Sequence, residues 1–306
     1  MTERPLRKRF KYASLYWFIR FLIFMANAMP RTWWLTFCGW LGAMAYRVSP
    51  QTRKRVLLHL GLAYAKEKSW KEVAELARRV FVMLGKNAGD ILRSLNVNNL
   101  NDLNKILVTH GMEHFEAAHA KGKGVIFLTC HLGAFDLQVT NMALRGLNPN
   151  IIGTPLKDER LNELLFSYRN AYGAVAVERG KETLRLLKAL KKGESVAILI
   201  DQDTRVKSRF VNFFGMPCAT PVGAAILAMK TGAAVVPTYI YLGNDKMQHM
   251  HILPEMDLVL TGDEEADMVT NTQHFTNFIE EQIRAHPDQW VWMHERWKTK
   301  PGEEIA

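Results

Sequence analysis

From residue 51 to 95 the apolar positions recur at helical spacing; beyond residue 104 they alternate between short runs and amphipathic stripes. Within 51–95, Leu57, Leu60 and Tyr64 mark one helical face. Val73, Leu76, Ala77, Val80, Phe81 and Leu84 mark another within 70–92. The Asn-rich stretch 96–104 reads as a connection. VIFLT at 125–129, bounded by Gly124, predicts a buried strand. Further strands are expected at 150–152, 174–177, 196–200, 234–242 and 249–253, and helices at 136–147, 161–172, 181–192, 222–231 and 268–286. Strands alternating with helices imply an α/β fold, a mostly parallel central sheet flanked by helices. There is no internal repeat and no low-complexity tract.

The N-terminal pattern is of another kind. Arg4, Arg7, Lys8, Arg9 and Lys11 face a single acid, Glu3, and two aromatic-rich apolar stretches follow at 13–29 and 32–46, parted by Pro30 and Arg31. Arg20 interrupts the first stretch, and neither has the roughly 18 to 20 uncharged residues of a clean membrane span. Trp17, Trp33, Trp34, Trp40 and Arg20 are types that settle where hydrocarbon meets headgroups. Residues 1–50 are therefore expected to form a helical membrane anchor, either one tilted helix or an interfacial pair, with its basic end in the cytoplasm. A domain over 51–306 follows it. Ala26-Asn27-Ala28 resembles a signal-peptidase site, but Arg20 and the second apolar stretch speak against cleavage. Two core helices of a soluble domain are the plain alternative, and the aromatics beside a basic tail favour the membrane.

Composition narrows the partners. With 48% apolar and 23% charged residues in 306, the chain has the makings of a folded core rather than disorder. Lys and Arg outnumber Asp and Glu by 40 to 30, a formal +10, which suits a membrane surface, an acidic protein or a phosphorylated substrate. Nucleic acid is disfavoured, because no helix-turn-helix, zinc-finger or RNA-binding aromatic motif is present. Cys38, Cys130 and Cys218 form no CxxC pair, so a disulfide framework and a cysteine-rich zinc site are not expected and a reduced compartment fits. Cys130 adjoins His131, yet neighbours on a strand point to opposite faces, and Cys130 reads as a small buried apolar residue.

Two charged motifs follow expected strands, where open α/β sheets gather their ligand chemistry. Cys130-His131-Leu132-Gly133-Ala134-Phe135-Asp136 follows VIFLT. There His131 can present its imidazole to a cleft, and Asp136, on the first turn of the next helix, can accept a hydrogen bond from one ring nitrogen. The other nitrogen is then left to take a proton from an alcohol. By spacing alone, a capping aspartate beside an incidental histidine explains the motif as well. Asp201-Gln202-Asp203 follows VAILI, and it either positions a polar substrate or braces a loop; no neighbouring histidine or third carboxylate completes a metal site. The Phe-rich run 210–215 reads as packing or as the wall of an acyl tunnel. Gln289 to Lys298 interleaves tryptophans with cations, which suits an interface, an anionic headgroup, or simple aromatic packing with a solvated basic tail.

Taken together and in order, these stretches resemble the lipid A biosynthesis lauroyl/myristoyl acyltransferase family, the late acyltransferases of lipopolysaccharide assembly. The likeness runs from about Arg53 to Pro301. It rests on the block beginning at Gly111 with its HxxxxD, then DQD, FVxFFG, TP, LAxxTGAAVVP and the ending QWVWMHERWKTKP. HxxxxD alone is shared by glycerolipid acyltransferases generally. The resemblance implies a glycerolipid-acyltransferase-like fold, with 51–306 as the acyltransferase domain at the cytoplasmic side of a bacterial inner membrane. It implies transfer of an acyl chain from an acyl carrier protein thioester to a hydroxyl of a lipid A precursor, without cofactor, metal or covalent acyl-enzyme. His131 would be the general base and Asp136 its orienter. Arg169 matches a recurring family arginine; Arg179 and Lys157 are further cations for phosphates or the oxyanion, and Asp201 and Asp203 join them as substrate-binding candidates. Thr154-Pro155 departs from the arginine-proline of many members, which puts the acceptor in question. The nearest rival is a lipid acyltransferase using acyl-coenzyme A. From another class, a non-catalytic lipid-binding scaffold remains, disfavoured by the presence of both His131 and Asp136.

Overall fold

The computed structural model describes residues 6–147, 149–153, 158–170, 173–178 and 183–305. It opens on four helices, α1 (Leu6–Ala28), α2 (Arg31–Val48), α3 (Pro50–Tyr64) and α4 (Trp70–Ser94). Pro30, extended at φ −55° and ψ 137°, parts the first two, as a proline disfavours helix in the residue before it. Ser69 and Glu72 form a reciprocal capping box that starts α4.

α2 packs on α4 through glycines. A Cβ on Gly42 would lie 2.1 Å from the Phe81 carbonyl oxygen, and one on Gly85 would lie 2.2 Å from that of Cys38. The Trp34 indole N–H donates to the Gly89 carbonyl at 2.8 Å. Among the described residues no helix is long and apolar enough to cross a membrane. The spanning form of the expected anchor is therefore not found there; α1 carries Arg20 in its midst, and α2 begins on Arg31 and carries Arg47 in its last turn.

After a short helix, α5 (Leu100–Leu103), the chain lays down β1 (Leu107–His110), α6 (Met112–His119), β2 (Val125–Thr129), α7 (Asp136–Leu144), β3 (Asn150–Gly153), α8 (Glu159–Asn170), β4 (Val175–Glu178), α9 (Thr183–Lys191) and β5 (Ser195–Leu199). A hairpin of β6 (Ser208–Phe213) and β7 (Met216–Pro221) follows, then α10 (Gly223–Thr231), β8 (Ala234–Leu242), β9 (Gln248–Ile252) and α11 (Glu264–Ala285). The main sheet runs β1-β9-β8-β2-β5-β3-β4. Its five strands from β8 to β4 are parallel; β9 pairs antiparallel with β8, and β1 pairs parallel with β9.

The mostly parallel sheet agrees with the expectation from alternation. Three pieces add to it. β1 and α6 were not anticipated, and the Phe-rich run is a hairpin whose Phe214 and Gly215 take positive φ, 52° and 72°, the signature of a tight two-residue turn. β2 lies at the centre and is wholly buried. Ile126 and Leu128 join a core with α9, α10 and α11, whereas Val125 and Phe127 join one with α6 and α7.

Candidate active site

β2 and β5 lie side by side and parallel, pairing Val125 with Ser195 and Thr129 with Leu199. Extended two residues past those ends, the same register brings His131 opposite Asp201. The contact is made: His131 Nδ1 lies 2.8 Å from Asp201 Oδ1. Asp201 Oδ2 accepts the His131 backbone N–H at 2.8 Å and the Trp290 indole N–H at 2.7 Å. The Asp201 side chain is fully buried, while that of His131 is 21% exposed. One ring edge is thus held and another is open.

The charge state follows. Burial opposes an ionised Asp201, but attraction to His131 and the hydrogen bonds from His131 and Trp290 prevail and bring its pKa down to about 2. An ionised carboxylate only accepts, so the proton of a neutral imidazole sits on Nδ1 and the lone pair on Nε2. That is the tautomer of a general base. Cys130 is excluded from thiolate chemistry, since burial, aided by the Asp201 charge, raises its pKa well above the ordinary thiol value.

The loop carrying His131 is fixed from several sides. Gly133 has φ +59°, and a Cβ there would fall 2.3 Å from the Ile240 carbonyl oxygen. Its N–H donates to the Gln289 carbonyl at 3.0 Å, and the Val291 N–H donates to that of His131 at 3.2 Å. Phe135 packs edge-on to the imidazole at 4.8 Å between ring centres.

The sequence reading assigned the orienting role to Asp136; the carboxylate bonded to Nδ1 is that of Asp201. Asp136 is buried at the first position of α7. Asp203, expected at substrate, instead accepts from Thr299 N at 2.7 Å and from Thr299 Oγ1 at 2.9 Å, so both its oxygens brace the C-terminal segment. Arg169 lies in α8, and its neighbour Tyr168 hydrogen-bonds Ser94 Oγ at 2.9 Å and Thr140 Oγ1 at 2.8 Å, tying α8 to α4 and α7. The side chain of Arg169, and Lys157 and Arg179 entirely, lie outside the described residues.

Aromatic packing is the dominant role of the C-terminal motif. Trp290, Trp292 and Arg296 are buried, the two indoles meet edge to face at 4.7 Å, and Arg296 Nη2 donates to Thr220 Oγ1 at 2.6 Å. Trp290 is the site residue that sequence reasoning missed as such. Among the described residues no group of three or more His, Cys, Asp or Glu is placed to hold a metal ion. A cavity of about 450 Å³ lies beside Asp203, with Thr204, Arg205 and Lys298 in its wall.

The family model described as bacterial lipid A biosynthesis acyltransferase matches residues 3–299. The chain is similar to the phosphatidylinositol mannoside acyltransferase of Mycobacterium tuberculosis (strain CDC 1551 / Oshkosh), at 27% identity over 64% of this chain and 61% of that protein. It is similar to the lipid A biosynthesis lauroyltransferase of Escherichia coli (strain K12), at 29% identity over 62% of this chain and 61% of that one. The lipid A biosynthesis myristoyltransferase of the same strain matches at 27% identity over 86% and 80%. The match to the first two thus spans about three fifths of their length.

Proposed function

Because the chain belongs to the bacterial lipid A biosynthesis acyltransferase family, we propose that it moves a fatty acyl chain from an acyl carrier protein thioester to a hydroxyl of a lipid A precursor. The observation that carries this reading is the partly exposed imidazole of His131 with its Nδ1 held by buried, ionised Asp201. Nε2 takes the proton of the acceptor hydroxyl as its oxygen attacks the thioester carbonyl. The tetrahedral intermediate collapses with cleavage of the carbon–sulfur bond, and the imidazolium returns the proton to the leaving thiolate. Asp201 stabilises the transient charge on the ring. Asp136 lies buried at the first position of the helix that follows His131. Arg169, Lys157 and Arg179 are assigned to the acceptor's phosphates or to the oxyanion.

The donor is assigned from charge. A formal +10 suits docking of an acidic carrier protein, and such an interaction weakens with salt. The enzyme is assigned to the cytoplasmic face of the inner membrane, with α1 and α2 as an interfacial pair. Phe10, Trp17, Phe24, Trp33 and Trp40 are exposed on these helices, and Arg20 lies among them.

Transfer assays on the purified chain test this reading, with lipid A precursor as acceptor and acyl carrier protein thioester or acyl-coenzyme A as donor. The expected product is one acyl chain heavier and forms faster from the carrier protein, at a rate that falls with salt. No transfer to the precursor from either donor would refute it. The similarity to the mannoside acyltransferase favours a second reading, a mannosylated phosphatidylinositol acceptor. Preferential acylation of that lipid would establish it.

A further inference from the structure

The segment that follows Trp292 is held beside the reacting pair from both ends. Upstream, Trp290 donates to Asp201 and forms an isolated antiparallel bridge with Leu132, and the Val291 N–H donates to the His131 carbonyl. Downstream, Arg296 is 1% exposed and anchored on Thr220. Between them lies His294. Its backbone is fully engaged, the N–H donating to Val291 O at 3.3 Å and the carbonyl accepting from Arg296 N at 2.9 Å. Only its side chain is left for other work.

That side chain is not explained by packing. His294 Nδ1 is sealed from solvent and makes no hydrogen bond, while the residue as a whole is only half-buried. Arg296 Nε and Trp297 Nε1 are likewise buried without a partner, so three of the eight such side-chain atoms among the described residues fall within 294–297. Native proteins keep few unsatisfied polar groups, and a cluster of them marks a place where a ligand or ordered water completes the bonding. Of the three, His294 is the one whose backbone is joined to His131, through Val291; Arg296 and Trp297 pack on Phe213 of the β6–β7 hairpin.

The electrostatics concur. Burial lowers the His294 pKa below the ordinary histidine value; the Asp201 charge raises it, and those of His131 and Arg296 lower it. The ring therefore feels both members of the reacting pair and is neutral near pH 7. A neutral imidazole has one donor and one acceptor nitrogen, which suits a sugar hydroxyl better than a phosphate.

We propose that His294 is a further substrate-contacting residue of the transfer site, hydrogen-bonding a hydroxyl of the acceptor lipid's sugar next to the one that is acylated. This rests on the assignment of His131 and Asp201 as the transfer centre. It gives the C-terminal segment a part in acceptor choice, beyond holding Asp201 through Trp290.

The test uses purified chain carrying His294→Ala, His294→Asn or His294→Gln, with acceptor and donor varied separately. Loss of one hydrogen bond predicts that His294→Ala raises the acceptor KM about ten-fold or more. The donor KM and the melting temperature should stay unchanged, and His294→Gln should restore part of the loss. An acceptor lacking the neighbouring hydroxyl should weaken wild type by a like factor and the Ala variant no further. Wild-type acceptor KM in both His294→Ala and His294→Asn overturns the proposal. So does a loss of melting temperature in all three variants with unchanged acceptor KM in the folded fraction, which would make the residue structural. His131→Ala, assayed alongside, must abolish transfer; if it does not, the assignment of the centre has failed rather than that of His294.

Discussion

Trp290 donates its indole N–H to Asp201 Oδ2 at 2.7 Å, on the oxygen that also takes the His131 backbone N–H, which leaves Oδ1 for the imidazole. A residue 89 positions downstream thereby sets the charge and aim of the carboxylate behind the base. Trp290→Phe keeps most of the ring and removes the donor. Its Asp201 should ionise at higher pH than in wild type, and turnover near neutrality should fall about ten-fold, as expected for a buried charge-assisted bond lost. The stability linkage has a definite sign. Asp201 has a folded pKa depressed to about 2, so its contribution is present above the unfolded value and is lost as pH falls through about 2. Thermal melts between pH 2 and pH 6 should therefore show less acid destabilisation in Asp201→Asn than in wild type.

The α2–α4 contact should tolerate no added carbon. Gly42→Ala places a Cβ against the Phe81 carbonyl and Gly85→Ala one against that of Cys38, so each should destabilise by about 1–3 kcal/mol as the helices move apart. Gly61 is the control. It lies within α3, and its Cβ would meet only Trp70 at 3.9 Å. Gly61→Ala should stabilise by about 0.5–1 kcal/mol through helix propensity. Denaturant midpoints of the three variants check both signs.

Arg31 opens α2 and forms a two-pronged ion pair with Asp90, Nε to Oδ1 at 2.9 Å and Nη2 to Oδ2 at 2.6 Å. The Asp90 side chain is fully buried, and its Oδ2 also accepts from Gln248 at 2.9 Å. Gln248 continues to Asn87, Asn87 to Gln289, and Gln289 receives the Gly133 N–H. A buried polar chain thus joins the N-terminal helices to the loop of His131. Arg31→Ala leaves a buried charge without its partner and should cost about 3–5 kcal/mol by chemical denaturation. Arg31→Lys, which keeps charge but loses the fork, should cost less. Equal stability of Arg31→Ala and wild type would show that water replaces the guanidinium at no cost.

Much of this was legible before any coordinates. VIFLT and the 234–242 strand lie where their apolar runs ended, because a strand buried on both faces writes its bounds in β-branched residues. β1 and α6 escaped because four- and eight-residue elements carry too little periodicity. The hairpin escaped because its turn is Phe-Gly, and the Phe214 at positive φ hides the usual Asn-Gly or Asp-Gly signal. His131 was legible as a strand-end base. Its carboxylate was not, since proximity in sequence favoured Asp136. The signal existed: both motifs follow strands, and in neighbouring parallel strands ending level, residues equally far past the ends meet. The pairing order, which composition does not write, was the missing fact.

The account stands on Asp201 as the carboxylate that holds His131 ready to take a proton. Single-turnover acyl transfer by purified Asp201→Asn against wild type, at saturating acceptor, tests it most directly. The prediction is a drop of about 10²- to 10⁴-fold, comparable with His131→Ala, in a protein that melts as a folded chain. A rate within a few-fold of wild type would contradict it.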